Sequence, residues 1–295
     1  MKIKLETLLI IIFPLLLSAC GGGSSGGVAY SVPACSDTGT AYQGNEYYTI
    51  GSNSGQTSNQ LSLVCASSAY ARDANGDGIE VAVVDSGGPW DSSGNLSNNE
   101  FNSTSADIVK PSNSDYVNSD SVPNDDNGHG SNVGCLIRCD RGDGDMHGIA
   151  YEAIVSWYKV SNSSGTFVND SAMASALNAA DSNDIINNSW GGGGFSSSEN
   201  SAINNAYNTY GAIVVGAAGN GDEEASDEEY AAHYPASYDN SISVCAVDCN
   251  GNWGGWATYH NTVDLAAPGE NIWSTIIGSG YQTWDGSSMA SPNAA

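Results

Sequence analysis

From residue 79 onward, short runs of consecutive apolar residues alternate with stretches whose apolar positions recur every three or four residues. The runs IEVAVVD (79–85), AIVSWYKV (153–160), DIINNSW (184–190), AIVVGAAG (212–219) and SISVCAV (241–247) have the length and composition of buried strands. Between them, NDSAMASALNAADSN (169–183) sets Ala172, Met173, Ala176, Leu177 and Ala180 on one helical face. SSENSAINNAYNTYG (197–211) reads as a second helix, with Ser196 and Glu199 spaced as a capping box and Gly211 as its stop. A further apolar helical run follows His129. Strands that are apolar throughout must be covered on both faces, so the alternation predicts an α/β fold built on a parallel sheet. Ligands of such sheets sit beyond the carboxyl ends of the strands.

The chain before residue 79 reads differently. MKIKLETLLIIIFPLLLSAC (1–20) joins two lysines to an apolar run, Leu8 to Leu17, too short to span a bilayer comfortably. It is a targeting segment, and its end, LSAC, resembles the lipobox of bacterial lipoproteins, which implies lipidation of Cys20 as the mature N-terminus; an ordinary cleaved signal is the alternative. Gly21 rather than Asp after Cys20 points to the outer membrane within that resemblance. GGGSSGG (21–27) is a flexible tether. Its formal match to G-x-S-x-G has no strand before it and no helix after it. The division expected is therefore 1–20 signal, 21–66 tether and N-terminal segment, and 67–295 a single large domain.

Charge excludes one class of partner. Seven Lys and Arg stand against 33 Asp and Glu, a formal net of −26, and phosphate contacts need basic side chains, so nucleic acid is not expected. Self-repulsion of this size keeps a protein soluble and monomeric and is eased by salt or bound cations.

Apart from Cys20 there are six cysteines, an even number that reads as disulfides in an exported chain, with fifteen connectivities open. The close pairs Cys135/Cys139 and Cys245/Cys249 point to local bridges, leaving Cys35 with Cys65. A zinc site on Cys135, Cys139 and His147 lacks a fourth ligand.

Five polar features sit at strand ends or turns. Asp85 ends VAVVDSGG, where a buried carboxylate needs a partner. His129 stands between two glycines in NDDNGHGSNVG, at a helix start. SWGGGG places Ser189, Trp190, Gly191 and Gly192 on an edge able to pair with an extended peptide. GAIVVGAAGN brings Gly219 and Asn220 to a strand end, where an amide N–H suits an oxyanion. DGSSMASP delivers Ser288, a weak nucleophile unless a base takes its proton and a third group orients that base. Each is also readable as an ordinary turn residue.

Together and in this order, these strings resemble the subtilase family of serine endopeptidases across residues 79 to 295. VVDSG resembles its aspartate motif, HGSNV its histidine motif, SWGG its substrate-binding strand and AAGN its oxyanion asparagine. GSSMASP resembles its serine motif, with Ser287 where Thr is usual and Ser288 as nucleophile. AYARDANGDGIEVAVVDSG is further similar to subtilases of the autotransporter type. The resemblance implies a three-layer subtilisin-like α/β fold and peptide hydrolysis. In it Ser288 attacks, His129 is the base, Asp85 holds its tautomer, and Asn220 with the Ser288 N–H stabilises the oxyanion. It implies protein or peptide substrates and no required cofactor, with calcium as a structural ion. Calcium candidates are Asp143 and Asp145 in CDRGDGDMHG; DANGDG (73–78) lacks the twelfth-position Glu of a calcium hand.

Localisation follows as lipid-anchored in the bacterial envelope. A catalytically inactive surface-binding lipoprotein on the same scaffold is the alternative, against which stand all four active residue types. A lipase or esterase has the wrong chain order of Ser, Asp and His. The family's small residues after the histidine motif are replaced by Cys135 and Cys139, whose bridge is positioned to shift the helix. The acidic run GDEEASDEEY puts Asp222, Glu223 and Glu224 beside Asn220, where they would favour basic side chains in a primary pocket. The resemblance implies a long buried helix that starts at the serine, and the seven residues after Ser288 give under two turns of it, so the 295-residue chain is expected to be a fragment, unstable and poorly active alone.

Overall fold

The structure, a computed structural model, describes residues 60–101, 106–118, 120–142, 146–221, 231–248, 250–253, 255–278 and 280–295. Seven strands, β1 (Glu80–Asp85), β2 (Ile108–Val109), β3 (Ile154–Lys159), β4 (Ile185–Asn188), β5 (Ile213–Ala217), β6 (Ser241–Val247) and β7 (Leu265–Pro268), form one sheet in the order β2-β3-β1-β4-β5-β6-β7. Every pairing in it is parallel. β1, β3, β4, β5 and β6 are the apolar runs read from the sequence. β2 is too short for a run to register, and β7 is an edge strand ending in Pro268, where a missing ladder donor is tolerated. A two-stranded antiparallel hairpin, β8 (Ile272–Thr275) with β9 (Tyr281–Trp284), lies outside the main sheet.

The alternation of β1 shows why its run is unbroken. Val81 and Val83 pack with Val133, Leu136 and Ile137 on one face, while Ala82 and Val84 pack with Met173, Leu177, Ala202 and Ile203 on the other. Two short helices, α1 (Gln60–Leu63) and α2 (Ala66–Tyr70), place Leu61, Ala66 and Tyr70 on Tyr151. The first face carries α3 (His129–Arg138), the second α4 (Asp170–Ala179) and α5 (Ser197–Asn205); α6 (Ser287–Ala294) packs Ala290 onto Val215, Val244 and Ala246. The parallel sheet between helical layers is the α/β architecture expected. No helix among the described residues is long and apolar enough to cross a membrane.

α4 starts where Asn169 accepts the Ala172 N–H and buries Met173, Ala176 and Leu177. α5 passes into a π-turn, Ala206–Tyr210, that Gly211 ends at φ 78°. Its capping box is only half made. Ser196 accepts the Glu199 N–H at 3.4 Å, but the Ser196 N–H goes to the Tyr238 hydroxyl, 42 residues away, instead of to Glu199. Tyr238 in turn donates to Ser196 O and reaches Glu199 Oε2.

The Glu199 carboxyl is therefore buried without its backbone donor. Burial first, and the Asp170 charge second, push its pKa up to about 7, against the pull of the Tyr238 hydrogen bond. A folded-state value above the unfolded one stabilises the protein at low pH, and that stability is lost as pH rises through about 7. Glu199→Gln is expected to melt with the parent at pH 5 and about 2–4 °C above it at pH 8. Coincident melting curves at pH 8 would refute this.

Candidate active site

The order of the sheet sets β1, β4 and β5 side by side, so their carboxyl ends bring Asp85, Ser189 and Asn220 into one row. The helix α3 then starts at His129 and α6 at Ser287, one residue before Ser288. Elements far apart in sequence thus converge on the edge that the strand rule singles out.

His129 is held by the strand-end acid. Its Nδ1 donates to Asp85 Oδ1 at 2.8 Å, and Asp85 is 3% exposed. The same oxygen accepts the Ser86 N–H, while Oδ2 is buried and takes no hydrogen bond among the described residues. Burial is the largest influence on the imidazole and lowers its pKa. The charge and hydrogen bond of Asp85, with the charge of Asp125, outweigh it and hold the value above the ordinary one. Trp284 stacks against the ring, centroids 6.0 Å apart.

Two glycines let α3 settle onto the sheet at this depth. A Cβ at Gly130 would stand 2.1 Å from Gly87 O, and one at Gly134 2.4 Å from the Trp157 ring. Trp157 Nε1 donates to Gly130 O from the same close contact. The expected bridge Cys135–Cys139 is present, with Cα atoms 4.6 Å apart. It ties the far end of α3, and His129 Nδ1 stands 2.8 Å from Asp85 Oδ1 in its presence. The bridge also uses both thiols proposed for zinc.

Asn220 is oriented by its neighbour. Its Oδ1 accepts both the Ser287 N–H and the Ser287 hydroxyl at 2.8 Å, and that hydroxyl accepts the Gly219 N–H at 3.1 Å. With its oxygen held by two donors, the amide leaves Nδ2 as its donor, 3.6 Å from where a Cβ on Gly286 would stand. The Ser288 N–H is among the helix-start donors that have no intrahelical acceptor.

The Ser288 hydroxyl donates to Ser189 O at 2.7 Å rather than to His129. The accepting residue is itself braced by a buried chain: Ser291 Oγ donates to Asn187 Oδ1 at 2.7 Å, and Asn187 Nδ2 to Ser189 Oγ at 2.9 Å.

Along the candidate substrate strand one reading is corrected. The N–H and C=O of Gly192 are not free for a peptide, because both bond Tyr234, at 2.9 and 2.8 Å. No backbone hydrogen bond of Gly191 to Tyr234 accompanies these two, although the glycine packs closely on the segment: a Cβ there would stand 2.5 Å from Tyr234 O. A Cβ at Gly191 would meet the His233 ring within 2.5 Å, and one at Gly219 would lie 3.2 Å from the same ring. Burial lowers the His233 pKa, so an uncharged imidazole lies between the two segments. Trp190 and the exposed Phe167 pair their rings at 5.5 Å beside this strand.

Asp125, Ser86, Asn187 and His233 carry no signal in apolar periodicity. Asp125 could have been noticed as an acid four residues before a helix-starting histidine. Cys20, Cys35, Cys249, Asp143, Asp145, Asp222, Glu223 and Glu224 lie outside the described residues. Among the described residues no cluster of three or more His, Cys, Asp or Glu is placed to hold a metal ion.

The profile of the Subtilase family matches residues 76–295 of this chain. Subtilisin DY of Bacillus licheniformis is 32% identical over 238 residues, which cover 80% of this chain and 80% of the relative. Thermitase of Thermoactinomyces vulgaris is 33% identical over 226 residues, covering 75% and 74%. Of the solved structures, Sphericase superposes with a TM-score of 0.61 at 27% identity over 75% of each chain.

Proposed function

This chain belongs to the subtilase family of serine endopeptidases, and from that premise we propose that Ser288, His129 and Asp85 are its nucleophile, base and orienting acid. The observation that carries the reading is the held imidazole. With Nδ1–H on Asp85 Oδ1 at 2.8 Å, only Nε2 is left to accept a proton.

In the proposed reaction an extended peptide lies along Ser189 to Gly191. Ser288 Oγ turns from Ser189 O toward His129 Nε2, gives up its proton and attacks the scissile carbonyl. The charge that develops on the carbonyl oxygen meets Asn220 Nδ2 and the Ser288 N–H, neither of which has to reorganise. His129, now an imidazolium beside Asp85, protonates the leaving amine. Water then repeats the sequence on the acyl-enzyme. Trp190 and Phe167 give the substrate an apolar wall, and Gly219 lets the chain pass His233.

The same proposal places the protein at the bacterial envelope through lipidated Cys20, with Asp143 and Asp145 as calcium ligands and Asp222, Glu223 and Glu224 favouring basic side chains next to the cleaved bond.

A fluorophosphonate probe tests the central assignment. The label is expected on the peptide that contains Ser288, and Ser288→Ala is expected to remain unlabelled. Undiminished labelling of that variant would sink the reading.

A further inference from the structure

Behind His129 stands a second acid that the reaction above does not use. Asp125 is 6% exposed, in the loop entering α3. Its Oδ1 accepts the Ser86 hydroxyl at 2.9 Å and the N–H groups of Asn127 and Gly128 at 3.0 and 2.8 Å; its Oδ2 accepts the Ser131 N–H at 2.8 Å. Four donors converge on it, an arrangement that suits an acceptor-only carboxylate. Three of them are backbone groups at the N-terminus of the helix that begins with His129, where a negative charge is favoured.

The fourth donor links this acid to the end of β1. Ser86 follows Asp85, and its hydroxyl also accepts the Gly130 N–H at 2.9 Å. One hydroxyl thus joins the strand that supplies Asp85, the carboxylate of Asp125 and the residue after His129. The loop is anchored from the sheet as well. Buried Lys159, in register with Asp85, donates from Nζ to Asn124 O at 2.8 Å and meets Asp126 at 3.1 Å. The ionisable groups around Asp125 are therefore Asp85 from β1, His129 from α3, Lys159 from β3 and Asp126 from its own loop.

We propose that Asp125 is a positioning residue of the peptidase: its carboxylate gathers the N–H groups of the turn that enters α3, the Ser131 N–H in its first turn and the Ser86 hydroxyl, and so fixes His129 at hydrogen-bond distance from Asp85. It acts through other groups and does not itself touch the substrate. The proposal rests on the Asp85, His129, Ser288 assignment. Its charge has a second effect, since it joins that of Asp85 in raising the His129 pKa. Burial raises the Asp125 pKa, while the Gly128, Ser131 and Asn127 hydrogen bonds pull it down.

The test compares the parent enzyme with Asp125→Asn, Ser86→Ala and Ser288→Ala. Proton NMR of the hydrogen shared by His129 and Asp85 reads the imidazole pKa, and kcat and KM are measured across pH 5–9. Asp125→Asn is expected to lower the imidazole pKa by on the order of half a unit. It is expected to lower kcat by about tenfold or more through misplacement of the base, with KM within about twofold. Ser86→Ala should move pKa and kcat in the same direction by less, and it decides the matter if Asp125→Asn does not fold. A folded Asp125→Asn enzyme with parental pKa and kcat overturns the proposal, as does an unchanged Ser86→Ala if that variant decides. Should Ser288→Ala keep parental activity, the nucleophile assignment fails and this proposal with it. An inactive Ser288→Ala beside an unaltered Asp125→Asn overturns the role of Asp125 alone.

Discussion

Under the proposed assignment Ser288→Ala is expected to lower kcat by roughly six orders of magnitude, the scale seen when the nucleophile is removed from a Ser–His–Asp enzyme. The fold should not notice. The substitution removes one hydroxyl whose single described hydrogen bond is to Ser189 O, and the bonds from Ser287 that join α6 to Asn220 stay in place. His129→Ala should cost a similar factor, and combining the two should cost little more, because a base without a hydroxyl and a hydroxyl without a base are equally idle. A residual rate above the uncatalysed one should survive in the double variant, carried by Asn220 and the N–H of residue 288. The measurement is kcat for both single variants and the double on one peptide substrate. Losses that multiply in the double variant would show that the two side chains do not act as a unit.

Asp85→Asn should lower kcat by about four orders of magnitude with little change in KM. The reason lies in how the carboxylate is used. Oδ1 serves both the Ser86 N–H and His129 Nδ1, and Oδ2 has no partner among the described residues. An asparagine that keeps its oxygen at Oδ1 buries an amide NH2 with nothing to receive it. One that flips presents NH2 to the imidazole, which then must carry its proton on Nε2 and cannot act as a base. Neither orientation supplies the charge that steadies an imidazolium. Because the Asp85 charge also raises the His129 pKa, whatever activity remains should have its acid limb at lower pH than in the parent. A loss of less than about a hundredfold, with the acid limb unmoved, would contradict this role for Asp85.

The positions of Asp85, His129, Asn220 and Ser288 were legible because each ends or begins an element whose own pattern is strong. VAVVD, for instance, is buried on both faces and needs no partner knowledge to be read as a strand. The braces around them were not. Tyr238 displaces Glu199 from the Ser196 N–H, Tyr234 occupies Gly192, and Lys159 reaches Asn124 O. Each is a local contact between residues 35 to 42 apart and leaves no period in the sequence. The two-residue β2 and the proline-ended β7 were missed for a related reason. Their place in the sheet is set by neighbours rather than by their own apolar content.

The distances along the chain between the converging parts also set an order of assembly. Asp85 and His129 are 44 residues apart, whereas Ser288 meets Ser189 across 99. Loop closure becomes costlier as the intervening chain lengthens, and contacts of long separation slow folding. Under the proposed assignment the base is therefore expected to meet its acid before the nucleophile reaches its place. A newly made chain, surrounded by unfolded copies of itself that would be substrates, is then expected to stay inactive until α6 docks.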